Sequence, residues 1–423
     1  MPQPQIGKAL AYWRKLGPGL ITGAADDDPS GIATYSQAGA QYGTGFIWLS
    51  VFTFPLMALV QEMCARIGMV TGKGLATNIK EQYPHGLLIF CTVLLFIANT
   101  FNIGADIGAM AQATRLIMPQ IDARFLVVIF TIISLVLQIF TRYKTYASYL
   151  KWLTLVLFSY ILVAFVIRLD WASVIHDTFI PHFPMDKNGM LLVAAILGTT
   201  ISPYLFFWQS SQEVEEKKEL ERLGISTAVE DVTASDIKNM RIDVWSGMFV
   251  SNLAMFFIIA VCSGTLFAHG ITTIKTAADA ALALRPLAGN GAFFLFAIGI
   301  IGTGFLAVPI LAGSVSYAVS ESMNWKEGLN NKFKEAQAFY GVLIIAMLVG
   351  LALNFIGLDP IKALIYSAIA NCIVAPFILF FVVLISSNKG IMGKYASGRL
   401  ARNIGFMITF LMFVVGISTV AFF

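Results

Sequence analysis

Long apolar blocks recur along the whole chain and limit its possible folds more than any other feature. Examples are Phe125–Phe140, Trp152–Ile167, Met248–Ala268 and Ile404–Phe423. Blocks of this length are typical of transmembrane helices, and no period-two alternation typical of a membrane β-barrel accompanies them. Only 12% of the residues are charged, which is too few to cover a soluble protein of 423 residues. We therefore expect an all-α membrane protein embedded in a lipid bilayer.

The apolar pattern predicts eleven transmembrane helices. They lie near residues 17–41, 44–66, 87–114, 124–141, 146–168, 189–217, 243–268, 291–321, 336–355, 360–386 and 402–423. With a cytoplasmic N-terminus, most of the 28 lysines and arginines fall in cytoplasmic segments. The positive-inside rule therefore predicts an N-terminus in the cytoplasm and an extracellular C-terminus.

Two of these spans are interrupted by residues that break helices. The first span contains Asp26–Gly31, with three aspartates before Pro29. The sixth span contains Gly198–Tyr204, and Pro203 lies near the centre of that span. Proline removes a backbone donor, and irregular backbone inside a membrane is tolerated only where protein buries it or where it lines a wet cavity. A carboxylate at the bilayer centre costs at least ~2.5 kcal/mol and usually has a function. The alternative is that both prolines only kink ordinary helices.

The interruptions fall at spans one and six, which is the spacing of two five-helix repeats in opposite orientations. The predicted organisation is a cytoplasmic N-terminus (1–16), a first repeat (17–168), an extracellular linker (169–188), a second repeat (189–386) and a C-terminal region (387–423). That last region holds a cytoplasmic linker and the eleventh helix. The acidic segment from Glu213 to Asp243 is interpreted as a solvated cytoplasmic linker.

A broken helix frees backbone carbonyls, and a nearby carboxylate completes an oxygen-lined cation site. Asp28 is the candidate anchor because it precedes the Pro29 break, and the Thr199 carbonyl and Ser202 hydroxyl form the opposite wall. Asp26 and Asp27 lie next to Asp28 but point elsewhere around the helix. One of them either faces a water-filled vestibule, where it attracts cations, or approaches the cytoplasmic boundary.

Span three adds a polar stripe, because Asn99, Asn102 and Asp106 share one helix face. This face either lines the cavity, with Asn102 the best candidate, or forms an interhelical hydrogen-bond seam. Asn371 in span ten is a further candidate for the lining.

No enzymatic motif is present in the sequence. The four histidines lack a metal-ligand spacing such as HExxH, and no GxxxxGK[ST] sequence supplies ATP binding. The four cysteines stand singly in apolar surroundings and are expected to be buried thiols. We expect no cofactor, no nucleic acid and no obligatory protein partner.

The sequence resembles the NRAMP family of divalent-metal transporters, which have the LeuT-type fold. The resemblance runs in order from Gly17-Pro18-Gly19, through the loop Val70–Ala76, to the sixth span. It implies a plasma-membrane transporter whose substrate is a divalent cation.

The metal-binding motifs of the family are altered in this sequence. The family motif Asp-Pro-Gly-Asn reads Asp28-Pro29-Ser30-Gly31 here, so the aspartate ligand is kept and Gly31 replaces the asparagine ligand. The family motif Met-Pro-His reads Ser202-Pro203-Tyr204, so Ser202 stands in place of the coordinating methionine. Losing a soft thioether favours hard ions, and the smaller side chains are expected to leave room for a hydrated Mg²⁺.

The residues that the family uses for proton transfer are also replaced. Tyr204 stands in place of a histidine, and Asn102 and Ala105 stand in place of an aspartate and a glutamate. These changes resemble the magnesium-transporting branch of the family and imply transport without proton coupling. Asp106 is a shifted carboxylate that leaves some coupling open.

The expected function is Mg²⁺ transport by alternating access, with Mn²⁺ as a second substrate. Asp28 would hold the ion directly or through its waters, with Gly31, Thr199 and Ser202 shaping the pocket. Asp27, Ser30, Tyr204, Asn102, Asp106 and Asn371 are candidates for the cavity or for support of the ligands. One alternative is proton-coupled Mn²⁺ or Fe²⁺ transport with Asp106 as proton carrier. Another is a cation channel or a metal-sensing membrane receptor.

Overall fold

A computed structural model describes residues 17–141, 158–182, 186–222 and 232–422. All regular structure in these ranges is helical. In chain order the α-helices are α1 (Pro18–Asp26), α2 (Pro29–Tyr42), α3 (Trp48–Thr71), α4 (Leu75–Gln82), α5 (His85–Arg115), α6 (Ala123–Phe140), α7 (Phe158–Val166), α8 (Trp171–Phe179), α9 (Lys187–Thr200), α10 (Pro203–Arg222), α11 (Ala234–Thr265), α12 (Ala277–Ala281), α13 (Arg285–Ala288), α14 (Ala292–Met323), α15 (Gln337–Leu353), α16 (Pro360–Ser387), α17 (Lys389–Met392) and α18 (Arg399–Phe422). Short 3₁₀ turns lie at Phe267–His269, Leu282–Leu284, Gly289–Gly291 and Gly393–Tyr395.

The outer surface of this helical protein is apolar, as a bilayer requires. Large hydrophobic side chains remain uncovered, including Phe140 (80% exposed) and Phe410 (69% exposed). Eight segments of the described chain are long and apolar enough to cross a membrane. They are Trp48–Thr71, His85–Arg115, Ala123–Phe140, Lys187–Glu219, Ala234–His269, Ala277–Met323, Pro360–Ser387 and Arg399–Ala421. The protein is therefore an integral membrane protein, as expected.

Three predicted spans fall outside this group of eight for different reasons. The first span is divided into the short helices α1 and α2, and α15 is apolar but only 17 residues long. Much of the span predicted at 146–168 lies outside the described residues, which resume at Phe158. The number of eleven spans therefore stays a prediction.

Both interruptions occur where the sequence predicts them. Helix α1 ends at Asp26, Asp28 is extended, and α2 begins at Pro29. Asp28 is the N-cap of α2, because its carboxylate accepts a hydrogen bond from the Gly31 N–H, and Pro29 occupies the first helical position, where no donor is lost. In the same way α9 ends at Thr200 and α10 begins at Pro203.

The prediction that the segment from Glu213 to Asp243 is a solvated linker is wrong at both ends of that segment. Helix α10 continues to Arg222, and α11 begins at Ala234, nine residues before the predicted span. Glu213 and Asp243 are both buried. Asp243 accepts hydrogen bonds from the backbone N–H groups of Gly17, Gly19 and Leu20, at 2.7–3.1 Å. An acidic residue that satisfies the orphan donors at a helix N-terminus need not face water.

Helix α1 packs against α11 at backbone distance. A Cβ at Gly23 would lie 2.3 Å from the Gly247 carbonyl oxygen, and a Cβ at Gly247 would lie 2.2 Å from the Gly19 carbonyl oxygen. Small residues permit this approach between membrane helices. The first half of the broken span is therefore fixed to α11 without intervening side chains. The four cysteines, as expected, are buried free thiols.

Replacing Gly247 with leucine is expected to separate α1 from α11. Overpacking of this kind costs roughly 1–3 kcal/mol or more, so the unfolding temperature in detergent should fall by several degrees. Gly341→Leu is the matched control, because Gly341 also lies inside a helix but a Cβ there meets nothing within 4 Å. Equal unfolding temperatures for the two variants would contradict the close packing.

Candidate metal site

The carboxylate of Asp28 lies buried at the break between α1 and α2 and is fixed from two sides. Its Oδ1 atom accepts hydrogen bonds from the Ser30 hydroxyl at 2.6 Å and from the Gly31 N–H at 2.7 Å. Its Oδ2 atom accepts a hydrogen bond from the Asn102 side-chain amide at 3.1 Å. A carboxylate has about four lone-pair sites, two on each oxygen. Oδ1 already accepts two hydrogen bonds and Oδ2 accepts one, so Oδ2 keeps capacity for a cation.

The second break, between α9 and α10, forms the opposite wall. The Ser202 hydroxyl lies 2.7 Å from the carbonyl oxygens of both Gly198 and Thr199, so it caps the last carbonyls of α9. The Thr199 hydroxyl has no well-formed hydrogen bond within the described chain. A Cβ at Gly31 would lie 3.1 Å from that hydroxyl oxygen, so Gly31 and Thr199 meet across the gap between the two broken helices.

The space beside Gly31 is narrower than the sequence led us to expect. The same Cβ would lie 3.2 Å from the Asp26 carbonyl oxygen and 3.4 Å from the Tyr35 ring. Thr199, the Asp26 carbonyl and the Tyr35 ring therefore occupy the space into which a side chain at position 31 would extend.

The residues of the polar stripe on α5 make contacts with different helices. Asn102 faces the break and bonds Asp28, and its carbonyl oxygen accepts a hydrogen bond from the Ser367 hydroxyl of α16 at 2.8 Å. Asn99, one turn earlier, donates to the Leu311 carbonyl of α14 at 2.9 Å. Asn102 thus contacts Asp28 at the break, and Asn99 takes part in an interhelical hydrogen bond. That Asn102 lines a cavity stays a prediction.

Asp106 lies on the same face of α5 and is completely buried, at 0% exposure. It interacts electrostatically with Asp28 and lies close to the Ser30 backbone N–H. Neither of its carboxylate oxygens has a well-formed hydrogen bond within the described residues. A carboxylate in this condition requires a proton or a cation.

The two remaining candidates occupy the edges of the site. The Tyr204 hydroxyl donates to the Ala25 carbonyl at 3.4 Å, which connects the start of α10 with the end of α1. Asn371 lies one turn beyond Ser367 on α16, is buried, and has no hydrogen-bond partner among the described residues for either amide atom. The structure therefore brings Tyr204 to the break and places Asn371 on the helix that supports Asn102.

Asp26 and Asp27 face away from Asp28, towards α11. The Ser251 hydroxyl lies 2.7 Å from Asp26 Oδ2 and 3.2 Å from Asp27 Oδ1. Both aspartates are buried where α1 contacts α11. The sequence analysis did not predict Ser251 or Ser367 as site residues. Each lies four residues from another polar or small residue in an apolar span, and this spacing is only a weak indication of a functional helix face.

The site contains acid without a compensating base. Within the described ranges, no ion pair joins a lysine or arginine to Asp26, Asp27, Asp28 or Asp106. The same part of the chain contains no group of three His, Cys, Asp or Glu side chains that could hold a metal ion. Cation ligands here would therefore be a carboxylate together with carbonyl, hydroxyl or water oxygens, which suits hard divalent ions.

Comparison with known sequences identifies the family. The profile described as "Natural resistance-associated macrophage protein-like", or Nramp, matches residues 19–421. The divalent metal cation transporter MntH of Caldanaerobacter subterraneus subsp. tengcongensis is 25% identical over 421 residues, covering 98% of this chain and 93% of that protein. MntH of Deinococcus radiodurans is 25% identical over 413 residues, covering 93% of this chain and 86% of that protein.

Comparison with solved structures identifies the fold. The manganese transporter of Eremococcus coleocola, in complex with an aromatic bis-isothiourea substituted compound, superimposes with a TM-score of 0.79 at 15% identity, covering 100% of this chain and 88% of that chain. Inward-facing Mhp1 superimposes with a TM-score of 0.54 at 13% identity, covering 96% and 88%. Because the family profile spans nearly the whole chain and the fold is the LeuT-type fold of these transporters, the chain belongs to the Nramp family of membrane transporters and is not an enzyme.

Proposed function

We propose that this protein transports divalent metal cations, chiefly Mg²⁺ with Mn²⁺ as a second substrate, by alternating access and without moving protons. The ion binds between the two breaks, with Asp28 as its anchor and Gly31, Thr199 and Ser202 shaping the pocket. The observation that carries the proposal is the buried Asp28 carboxylate where two broken helices meet, which forms no ion pair with a lysine or arginine of the described residues. The names of the related MntH proteins support a divalent cation as substrate.

The preference for Mg²⁺ follows from the donors around Asp28. Its hydrogen-bond partners are Ser30, Gly31 and Asn102, and the opposite wall offers hydroxyl and carbonyl oxygens of Thr199 and Ser202. Thioether and imidazole ligands would favour transition metals, and neither occurs among these contacts. Mg²⁺ usually keeps several waters, so a site with few direct ligands is compatible with it.

We also propose how the protein lies in the membrane. It has eleven spans in the cell membrane, with a cytoplasmic N-terminus (1–16) and an extracellular C-terminus. Two inverted five-helix repeats (17–168 and 189–386) are joined by an extracellular linker (169–188), and the eleventh helix follows within 387–423. The membrane potential then drives uptake, because each positive charge gains ~2.3 kcal/mol per 100 mV.

Transport in proteoliposomes that contain both a Mg²⁺-sensitive and a pH-sensitive dye tests the proposal. We expect saturable Mg²⁺ entry, competition by Mn²⁺, and no acidification that depends on the metal. Mn²⁺ entry with acidification and without a Mg²⁺ signal would overturn both the ion preference and the absence of proton coupling.

The second candidate function is proton-coupled Mn²⁺ or Fe²⁺ transport, and one observation favours it. Asp106 is a buried carboxylate beside Asp28 with no well-formed hydrogen bond among the described residues, so it can hold a proton. In that case metal entry would acidify the liposomes, and the pH dye would respond only when Asp106 is present.

Asn102→Ala is expected to weaken the apparent affinity for Mg²⁺ roughly tenfold. The Asn102 side chain accepts a hydrogen bond from Ser367 and donates one to the Asp28 carboxylate. A hydrogen bond to a charged group contributes about 1.5–3 kcal/mol. Asn99→Ala is the matched control, since Asn99 lies one turn away on α5 and bonds Leu311 instead. The KM for uptake in proteoliposomes measures the effect, and equal KM values for the two variants would exclude a positioning role for Asn102.

A further inference from the structure

Asp26 and Asp27 form a second acidic group that is separate from the Asp28 site. Asp28 bonds Ser30, Gly31 and Asn102, whereas the oxygens of Asp26 and Asp27 converge on Ser251 of α11. The two groups are adjacent in sequence but contact different helices, because the chain turns at the break between α1 and α2.

The carboxylates of Asp26 and Asp27 are buried, and too few hydrogen-bond donors surround them to satisfy their oxygens. Asp26 is 0% exposed and Asp27 is 2% exposed, and one hydroxyl proton of Ser251 serves both carboxylates. The Oδ1 atom of Asp26 has no hydrogen-bond partner in the described residues. Among the described residues, the charged groups that interact with the pair are other carboxylates, and no ion pair joins a lysine or arginine to Asp26 or Asp27. A buried pair of this kind needs a cation or protons.

The distances in the group suit a small divalent cation. Neighbouring ligands of an octahedral Mg²⁺, each at ~2.1 Å, lie about 3.0 Å apart. The Ser251 hydroxyl oxygen lies 2.7 Å from Asp26 Oδ2 and 3.2 Å from Asp27 Oδ1, so the hydroxyl oxygen has this spacing to one oxygen of each aspartate. The carbonyl end of α1 adds the negative end of a helix dipole.

Room for a water ligand exists beside Asp27. A cavity of about 30 Å³ borders this residue between α1, α7 and α11, and Ala24, Phe158 and Leu253 also line it. A water molecule needs at least roughly 10–15 Å³ of such space and two to four polar partners. The other residues that line this cavity are apolar, so Asp27 and a bound cation would be the partners of that water. The remainder of the contact between α1 and α11 is closed by the glycine packing at Gly23 and Gly247.

We propose that Asp26, Asp27 and Ser251 form a second binding site for a divalent cation, next to the Asp28 site but distinct from it. Two carboxylates balance the charge of one such ion, and the bound ion ties the first half of the broken span to α11. This proposal does not depend on which ion the protein transports.

Counting bound Mn²⁺ tests the second site. Purified protein is stripped with EDTA and titrated with Mn²⁺, and the free ion is followed by electron paramagnetic resonance. We expect two ions per native chain, one per Asp28→Asn chain, and one per chain of the Asp26→Asn/Asp27→Asn double variant. Asp122→Asn, at an exposed helix N-cap, is the control and should keep two.

Ser251→Ala gives a milder test that preserves both carboxylates. It should keep two ions and weaken one of them about tenfold, as expected for losing a hydroxyl ligand or donor. If the double variant fails to fold, this variant together with Asp28→Asn still decides the question.

The outcomes separate this proposal from the transport proposal. One ion in the native protein and none in Asp28→Asn would overturn the second site and mean that Asp26 and Asp27 are protonated. Two ions retained in the double variant would also overturn it. A single ion that survives Asp28→Asn and disappears in the double variant would support the second site while removing the ion from Asp28.

Discussion

Asp28→Asn is expected to reduce Mg²⁺ uptake by about 100-fold or more. Leaving a buried charge without its partner costs roughly 3–5 kcal/mol, and each 1.4 kcal/mol corresponds to a factor of ten. Asparagine keeps the N-cap that Asp28 provides to α2, so the change removes the negative charge and the oxygen that accepts the Asn102 amide. Initial rates of Mg²⁺ entry into proteoliposomes measure the effect.

Asp122→Asn is a closely matched control for this experiment. Asp122 is also a helix N-cap, and its carboxylate accepts a hydrogen bond from the Arg124 N–H at 2.7 Å, but it lies exposed at the start of α6. The same substitution there should leave uptake unchanged. If Asp28→Asn transported Mg²⁺ as fast as this control, the anchor would have to lie elsewhere in the protein.

Asp106→Asn is expected to weaken the apparent Mg²⁺ affinity by about tenfold to a hundredfold. Asp106 interacts with Asp28 in a fully buried setting, so the two carboxylates together match the charge of a divalent cation. Losing one of them leaves an excess positive charge when the ion is bound, at a cost of about 1.5–3 kcal/mol for a charge-assisted contact. The KM for Mg²⁺ entry should rise more than the maximal rate falls.

The pH dye recorded in the same experiment tests the alternative role of Asp106. A variant that still carries the metal, but no longer acidifies the liposomes as the native protein does, would assign Asp106 to proton movement. An unchanged KM with no acidification in either protein would exclude both roles. Glu335→Gln, at an exposed acid far along the chain, should leave both readouts unchanged.

The four buried aspartates near the first break are best considered together. If all four ionise, Asp26, Asp27, Asp28 and Asp106 carry four negative charges, and the described residues provide no basic partner. One cation at Asp28 and Asp106, and a second at Asp26 and Asp27, balance this charge. With all four ionised, two bound divalent ions leave no unpaired charge in the membrane interior, and protonation of the carboxylates is the alternative that the Mn²⁺ count distinguishes.

Local chemistry explains why the breaks could be predicted from the sequence. An aspartate before proline supplies an N-cap and a first helical residue, and these two facts need no knowledge of the neighbouring helices. Both α2 and α10 begin at the proline that the sequence indicates. The long apolar blocks likewise predict membrane helices, because their length alone matches the bilayer.

The sequence by itself determined the membrane class, the two breaks and Asp28 as the acid at the first of them. The tertiary structure decided which residues meet there. Helical periodicity places Asn99, Asn102 and Asp106 on one face, but it does not say which helix lies opposite each of them. Ser251 and Ser367 lie more than 220 residues from the aspartates and 265 residues from Asn102, respectively. Contacts over such separations depend on how complete helices pack, and that packing is a property of the whole fold.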